Sequence, residues 1–425
     1  MTDNPLQPAA GRNGDRKRVL MLSHRVPYPL DRGDRIRAYH ILRHLSARFD
    51  VSLACTTEEP VTIAQQRAVE DLAGRVTIHP INRRYSRLRG VAALARGQAI
   101  TPACFYRPAL AQSLADWHRD DPFGTVFTYC TGMIHYARRL MQTNPAPRHV
   151  IDLVDVDSAK WLDYSHNSSV PMRWVYRVES KRLAAIESGK RDRFDAVTVV
   201  SDAEADLYRS HVGEHCGLAV LRHAVDVEYF QPLADNDSQT IVFIGVLNYR
   251  PNVDGVTWFV HNVMPALRSR CENARLLIVG RDPSPAVEQL NEQAGVQVVG
   301  SVADVREYLQ KAAAVIAPLR IARGVQTKVL EAMAAARVAV CSPPAARGIH
   351  ARDGEHLLVA DEPQQWVEQL QSVLTDTALR QRLARSARYQ VQQVYPWDKC
   401  LQPLEWLISG DDRRAAASGG LRKAA

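Results

Sequence analysis

The sequence predicts an α/β protein of two domains, each an open parallel sheet covered by helices. Three observations predict it. Short β-branched runs alternate with longer stretches of helical periodicity, the pattern that strand–helix–strand units leave. That alternation starts afresh near residue 240. The 425 residues also exceed what one hydrophobic core organises, because single cores stop growing at roughly 250–300 residues.

Residues 1–17 are polar and basic and predict a disordered tail. In a first unit over 18–230, strands are expected at Val19–Leu22, Val51–Ala54, Thr125–Thr128, His149–Val154 and Ala196–Val200. The stretch QPLADNDSQT is rich in Pro, Asp, Asn and Ser and predicts a linker over 231–239. In a second unit over 240–395, strands are expected at Thr240–Ile244, Arg275–Val279, Val296–Val299, Ala313–Ala317 and Val338–Cys341. A last helix over 396–410 is expected to return to the first unit, followed by a disordered tail over 411–425. Both units open alike, with an apolar strand, a Gly- or Pro-rich loop and a helix: VLMLSHRVPYPLDRGDRIRAYHIL in one, TIVFIGVLNYRPNVDGVTWFV in the other. Ligands of open parallel sheets bind at the carboxyl ends of the strands, so two such Rossmann-like units facing each other would enclose a cleft.

Composition narrows the function. With 46% hydrophobic and 24% charged residues the chain has the apolar material of a globular protein. A formal charge of +8 suits an anionic partner. Nucleic acid is not expected, because no basic stripe interleaved with aromatics appears. No run of 18 or more apolar residues occurs, and the N-terminus lacks an apolar signal core, so a cytoplasmic location is expected. The seven cysteines lie far apart without a C-x-x-C pair, which reads as reduced, mostly buried thiols rather than a metal centre.

The most informative segment is PLRIARGVQTKVLEAMAAARVAV, Pro318–Val340, which joins a strand end, a glycine turn and a helix start. If the helix opens near Gln326, its free amides form an anion site, and Gly324 allows close approach. Lys328 falls in the first turn, where the helix dipole disfavours a cation by about 0.3–1 kcal/mol unless an anion compensates it. The plain alternative is a solvated surface lysine. Glu331 lies one turn on, on the same face, and could accept from ribose hydroxyls; alternatively it forms an intrahelical pair with Lys328 worth about 0.2–0.5 kcal/mol.

RGVQTKVLEAMA resembles the donor-binding motif of glycosyltransferase family four, particularly its bacterial exopolysaccharide branch associated with PEP-CTERM and exosortase systems. Further similar segments are SHRVPYPLDRGDRIRAYHILRHL, VDVDSAKW, VSDAEADLYR, AVDVEYF, FIGVLNYRPNVDG and HLLVAD, in the family's order. The resemblance implies a GT-B fold and a retaining transferase, with a nucleotide-diphosphate sugar held mainly by the second domain. The acceptor, a saccharide or lipid-linked saccharide, would be gripped mainly by the first. It implies donor contacts at Gly33, Gly245, Gly280, Arg281, Ser301, Val302, Gly324, Val325, Lys328 and Glu331. Glu331 matches the second of two family glutamates; Arg323 stands where the first, which touches the transferred sugar, would fall. Val246 replaces a usual arginine, and Arg250 is the candidate to supply its charge.

In the first unit, Arg32-Gly33-Asp34 suits close approach to a phosphate or sugar, and equally a helix start with Asp34 as N-cap. VDVDS sets Asp155, then Asp157, at a strand end, where the resemblance implies a residue facing the reacting sugar. A D-x-D pair also resembles a magnesium or manganese motif, but GT-B enzymes use helix amides and Lys or Arg, so neither metal nor cofactor is expected. Arg83–Gly97 sets Arg83, Arg84, Arg87 and Arg89 among apolar residues, like a membrane-surface helix facing lipid-linked acceptors at the inner membrane. Met172–Phe194 could share that surface, although Glu179 and Glu187 suit an ordinary exposed helix. Two other functions fit the pattern: a nucleotide-sugar epimerase on the same fold, and a catalytically silent sugar-nucleotide-binding assembly protein.

Overall fold

The computed structural model describes residues 16–166, 168–189, 194–215, 217–232, 238–322, 324–411 and 414. Arg323, most of the two expected tails and five residues of the expected linker lie outside them. The described chain divides into two compact units, one reaching Arg222 and resuming at Leu401, the other running from His223 to Cys400.

The first unit holds β1 (Arg18–Ser23), β2 (Asp50–Thr57), β3 (Arg75–Pro80), β4 (Thr125–Tyr129), β5 (Arg148–Val154), β6 (Ala196–Val199) and β7 (Leu218–Val220), in the order β3-β2-β1-β4-β5-β6-β7. Every pairing is parallel. The interior strand β1 is apolar without alternation, as a strand covered on both faces is: Val19, Leu20, Met21 and Leu22 are all fully buried. The second unit holds β8 (Thr240–Ile244), β9 (Arg275–Val279), β10 (Val296–Gly300), β11 (Ala314–Ala317), β12 (Val338–Cys341) and β13 (Leu358–Val359), in the order β10-β9-β8-β11-β12-β13. It too is wholly parallel.

Three strands escape the sequence reading, and all lie on sheet edges: β3, β7 and β13. The β3 strand carries the half-exposed RVTIHP, while β7 and β13 are three and two residues long, too short for a periodic signal. The division between the units falls at Arg222–His223, before the expected linker. Val225 and Phe230 belong to the second unit's buried core, and the Val225 amide donates to the Tyr395 carbonyl at 3.0 Å. The helix Trp397–Ser409 joins the first unit from Leu401 onward. There Arg148 Nε donates to the Leu407 carbonyl at 2.7 Å and Lys17 Nζ to that of Ile408 at 2.6 Å.

Each sheet reverses its strand order once, between β1 and β4 in the first unit and between β8 and β11 in the second. Loops leaving the carboxyl ends of such a pair turn to opposite faces and open a crevice between them.

Candidate functional site

Beside the switch point of the second unit, the ends of β8 and β9 meet. Gly280 follows β9 with φ +153°, and a Cβ there would lie 1.6 Å from the Gly245 carbonyl oxygen, so only glycine lets the two main chains touch. Gly245 follows β8, and its own missing Cβ would lie 2.8 Å from Asn252 Nδ2 and 3.0 Å from Lys328 Nζ. Lys328, in the first turn of the Thr327–Ala334 helix, is only 8% exposed. Its Nζ donates to Asn252 Oδ1 at 2.8 Å and sits 4.5 Å from the centre of the Phe243 ring. Asn252, in the first turn of the Arg250–Asn262 helix, donates Nδ2 to the Val246 carbonyl at 2.9 Å.

The surface-lysine reading is thereby corrected: Lys328 is buried because Phe243, Asn252 and Gly245 close around it. Its hydrogen-bond acceptor is a neutral amide, and Glu331 acts on it through space. Burial lowers Lys328 to about 7, with Glu331 opposing. Burial likewise pushes Glu331 up to about 7, opposed by Lys328. The N-cap Gln326 gives no side-chain cap, and the first turn carries no acid. Free amides and a desolvated cation at a helix amino end make an anion site.

The flanking loop is fixed by close packing as well. Gly324 has φ +62°, and its carbonyl oxygen would lie 2.4 Å from a Cβ on Gly348. Val325 and Val302 are partly buried against the core, and Ser301 is exposed. Arg250 is exposed at the first residue of its helix. The Arg281 carbonyl accepts from the Leu247 amide at 2.9 Å, tying the two loops. The sequence reading missed Asn252 and Phe243. The available signal was an amide inside a predicted helix, where Asn is disfavoured unless its side chain has a partner.

In the first unit, Cys130 and Val154 follow or end adjacent strands with φ of 65° and 68°, uncommon for any side chain and costly for a β-branched one. Asp155 comes next, half-buried, and Asp157 opens the Asp157–His166 helix. Two buried carboxylates hold this turn: Glu204 accepts from the Val156 amide at 2.9 Å, and Glu187 from the Ser158 amide at 3.0 Å and the Ser158 hydroxyl. Burial raises Asp157 to about 6, with Lys160 opposing, Asp155 adding and His24 opposing.

A Cβ added at Gly33 would meet no protein atom within 4 Å, so packing within the chain does not require the glycine. Two expectations for this unit are corrected. Asp34 is not an N-cap; Arg32 is, and Asp34 accepts from Arg25 at 2.5 Å and lies 3.5 Å from His24 Nε2. Although burial works against it, His24 and Arg25 hold the Asp34 carboxyl far below the usual carboxylate range. His24, which the sequence reading also missed, sits 3.2 Å from Cys130 Sγ; against its burial, Cys130 and Asp34 raise it to about 9. Finally, Glu179 and Glu187 are not on an exposed helix face. Both are buried, Glu179 accepting from the Ile100 and Thr101 amides at 2.7 and 2.8 Å.

The basic stretch forms the helix Arg83–Ala95, burying Ser86, Gly90 and Ala93 and leaving Tyr85, Leu88 and Val91 more than 60% exposed. Arg84 and Arg87 are exposed beside them. Arg83, 72% exposed, pairs with Glu58 at 2.9 Å, and Arg89 donates to the Tyr106 carbonyl. Among the described residues no helix is long and apolar enough to cross a membrane, and no group of three His, Cys, Asp or Glu could hold a metal ion.

Residues 238–376 match the family model described as Glycosyl transferases group 1. No curated protein matches in sequence. The sucrose-phosphate synthase of Thermosynechococcus elongatus has a TM-score of 0.69 to this chain at 15% identity, over 93% of this chain and 99% of that one. HepE of Anabaena in complex with UDP has a TM-score of 0.63 at 12% identity, over 92% and 100%. A glycosyltransferase from Rickettsia africae has 0.64 at 11%, over 93% and 99%. The fold is thus GT-B, with two Rossmann-like units, and the second unit is a glycosyltransferase domain, which makes the chain an enzyme of that class.

Proposed function

We propose that the chain is a retaining glycosyltransferase that moves a sugar from a nucleotide-diphosphate donor to an exopolysaccharide or lipid-linked saccharide precursor. The observation that carries this reading is Lys328, a buried cation at an uncapped helix start on the switch point of the second sheet. As the sugar becomes oxocarbenium-like, negative charge grows on the leaving diphosphate; Lys328 and the helix amides stabilise it, and Glu331 takes the ribose hydroxyls. HepE, which shares the fold, is described in complex with UDP, which supports a nucleotide donor. Asp155 and Asp157, on a turn fixed by Glu187 and Glu204, are assigned to the reacting sugar. The exposed Tyr85, Leu88 and Val91 with Arg84 and Arg87 would rest on an anionic inner-membrane surface, bringing lipid-linked acceptors within reach. Flotation with phosphatidylglycerol vesicles that is indifferent to Leu88→Asp and Arg87→Glu would remove that part.

The donor reading is tested by thermal denaturation against UDP, GDP, ADP and dTDP sugars. A ligand at 100 times its Kd stabilises by about 2.7 kcal/mol, so one nucleotide series should stand out. Nucleoside diphosphate release should then require an acceptor, and the product should keep the donor's anomeric configuration. Conversion of the sugar without acceptor would instead indicate an epimerase, and binding without turnover a silent protein.

A further inference from the structure

Lys328 is held by a partner that does not neutralise it. The Asn252 amide has a fixed polarity: Nδ2 donates to the Val246 carbonyl at 2.9 Å while Oδ1 accepts from Lys328 Nζ at 2.8 Å. Turning it over would set two acceptors, and two donors, against each other. Asn252 is 6% exposed and Lys328 8%, and the Phe243 ring covers Nζ at 4.5 Å. An aspartate of the same shape would supply a counter-charge but set an oxygen against the Val246 carbonyl; the amide satisfies both neighbours and holds the desolvated lysine without neutralising it.

The charged and titratable groups that act on Lys328 are few. Glu331 lies one turn along its own helix, and Cys341 ends β12, pushed up to about 12 by burial and therefore neutral. Phe243 on β8 and Asn252 on the Arg250–Asn262 helix bring no charge.

We propose that Asn252 is a positioning residue that aims Lys328 at the anion site without neutralising it, so that binding of a diphosphate ester draws one proton from solvent onto the lysine. This rests on the reading of Lys328 as the donor's diphosphate ligand. Burial lowers the free lysine to about 7, and an adjacent dianion restores its charged form. The bound state therefore holds more protons than the free state, and affinity falls as pH rises above about 7, by up to about tenfold per pH unit. At pH 8 Glu331, raised only to about 7, has lost its proton and is no internal source.

The test is calorimetric titration of the full chain with UDP-glucose, GDP-mannose, ADP-glucose and dTDP-glucose, whose diesters keep their charge over the range. The binding donor is then measured in two buffers of different ionisation enthalpy. Uptake close to one proton per donor is expected at pH 8 and little at pH 6. Asn252→Asp, which keeps the shape and gives up only the bond to the Val246 carbonyl, should bind more weakly at pH 7 and lose the pH slope between 7 and 9. Donor binding without proton uptake, or a wild-type slope in Asn252→Asp, overturns the role of Asn252 and leaves the donor reading standing. Failure of all four to bind at any pH overturns both.

Discussion

Lys328 illustrates how a residue can be legible in type and illegible in state. A cation in a helix's first turn is misplaced by the dipole, which marks it as a ligand residue. Its burial against Phe243 and its amide partner depend on residues some eighty positions earlier, which no local pattern connects. If Lys328 faces the leaving group as proposed, Lys328→Ala should lower kcat by roughly 10²–10³-fold, and Asp155→Asn by no more; turnover assays giving the opposite order would contradict the assignment. Glu187 carries a different expectation. Fully buried, it is pushed up to about 8 by burial, with Asp157 adding to the shift. The folded chain keeps this proton where the unfolded chain, near 4.5, has lost it. Stability should therefore fall as pH rises from about 4.5 to 8, by up to about 1.4 kcal/mol per pH unit. Glu187→Gln can still accept from the Ser158 amide through Oε1 and can donate Nε2 to the Ser158 hydroxyl, and it should flatten that decline in urea denaturation at pH 5, 6.5 and 8; an unchanged slope would mean the group is already ionised.

At the scale of elements, the interior strands announce themselves through apolar runs, and of the edge strands only β10 does. β3 is half-exposed and β13 pairs over two residues, so neither concentrates enough β-branched side chains to be seen. The glycines divide similarly. Gly33 and Gly280 both follow or open a helix-bound turn in the sequence, yet only Gly280 is forced, by the 1.6 Å approach of the Gly245 oxygen. Gly280→Ala should destabilise the second unit by about 3 kcal/mol. Gly33→Ala, with open space and a helical position, should stabilise by up to about 1 kcal/mol. Denaturant midpoints measure both, and equal midpoints would show that the β8 and β9 ends are not in contact. The Arg83–Ala95 helix shows why charge counting misleads: of four arginines in one basic stretch, Arg83 and Arg89 are taken up by Glu58 and the Tyr106 carbonyl.

At the scale of the molecule, the last helix decides where one unit ends. Leu401, Leu404, Leu407 and Ile408 are fully buried, and exposing each would cost about 1.5–3 kcal/mol. Together that rivals the roughly 5–15 kcal/mol that holds a domain folded. A chain ending at Cys400 should therefore lose its first unit and keep its second. Limited proteolysis should degrade residues before Arg222 while His223–Cys400 survives; equal survival would show that the helix is dispensable. By itself the sequence determined the class, two parallel-sheet units, their interior strands with the edge strand β10, and a helix start that carries Lys328 with Glu331 one turn on, because periodicity and helix-end chemistry are local and written in consecutive residues. Tertiary structure alone decided the edge strands β3, β7 and β13, the division at Arg222–His223, the His24, Cys130 and Asp34 cluster, and the neutral amide that holds the lysine. Each of these depends on residues far apart in the chain, and the burial and charge they create exist only where folding brings them together.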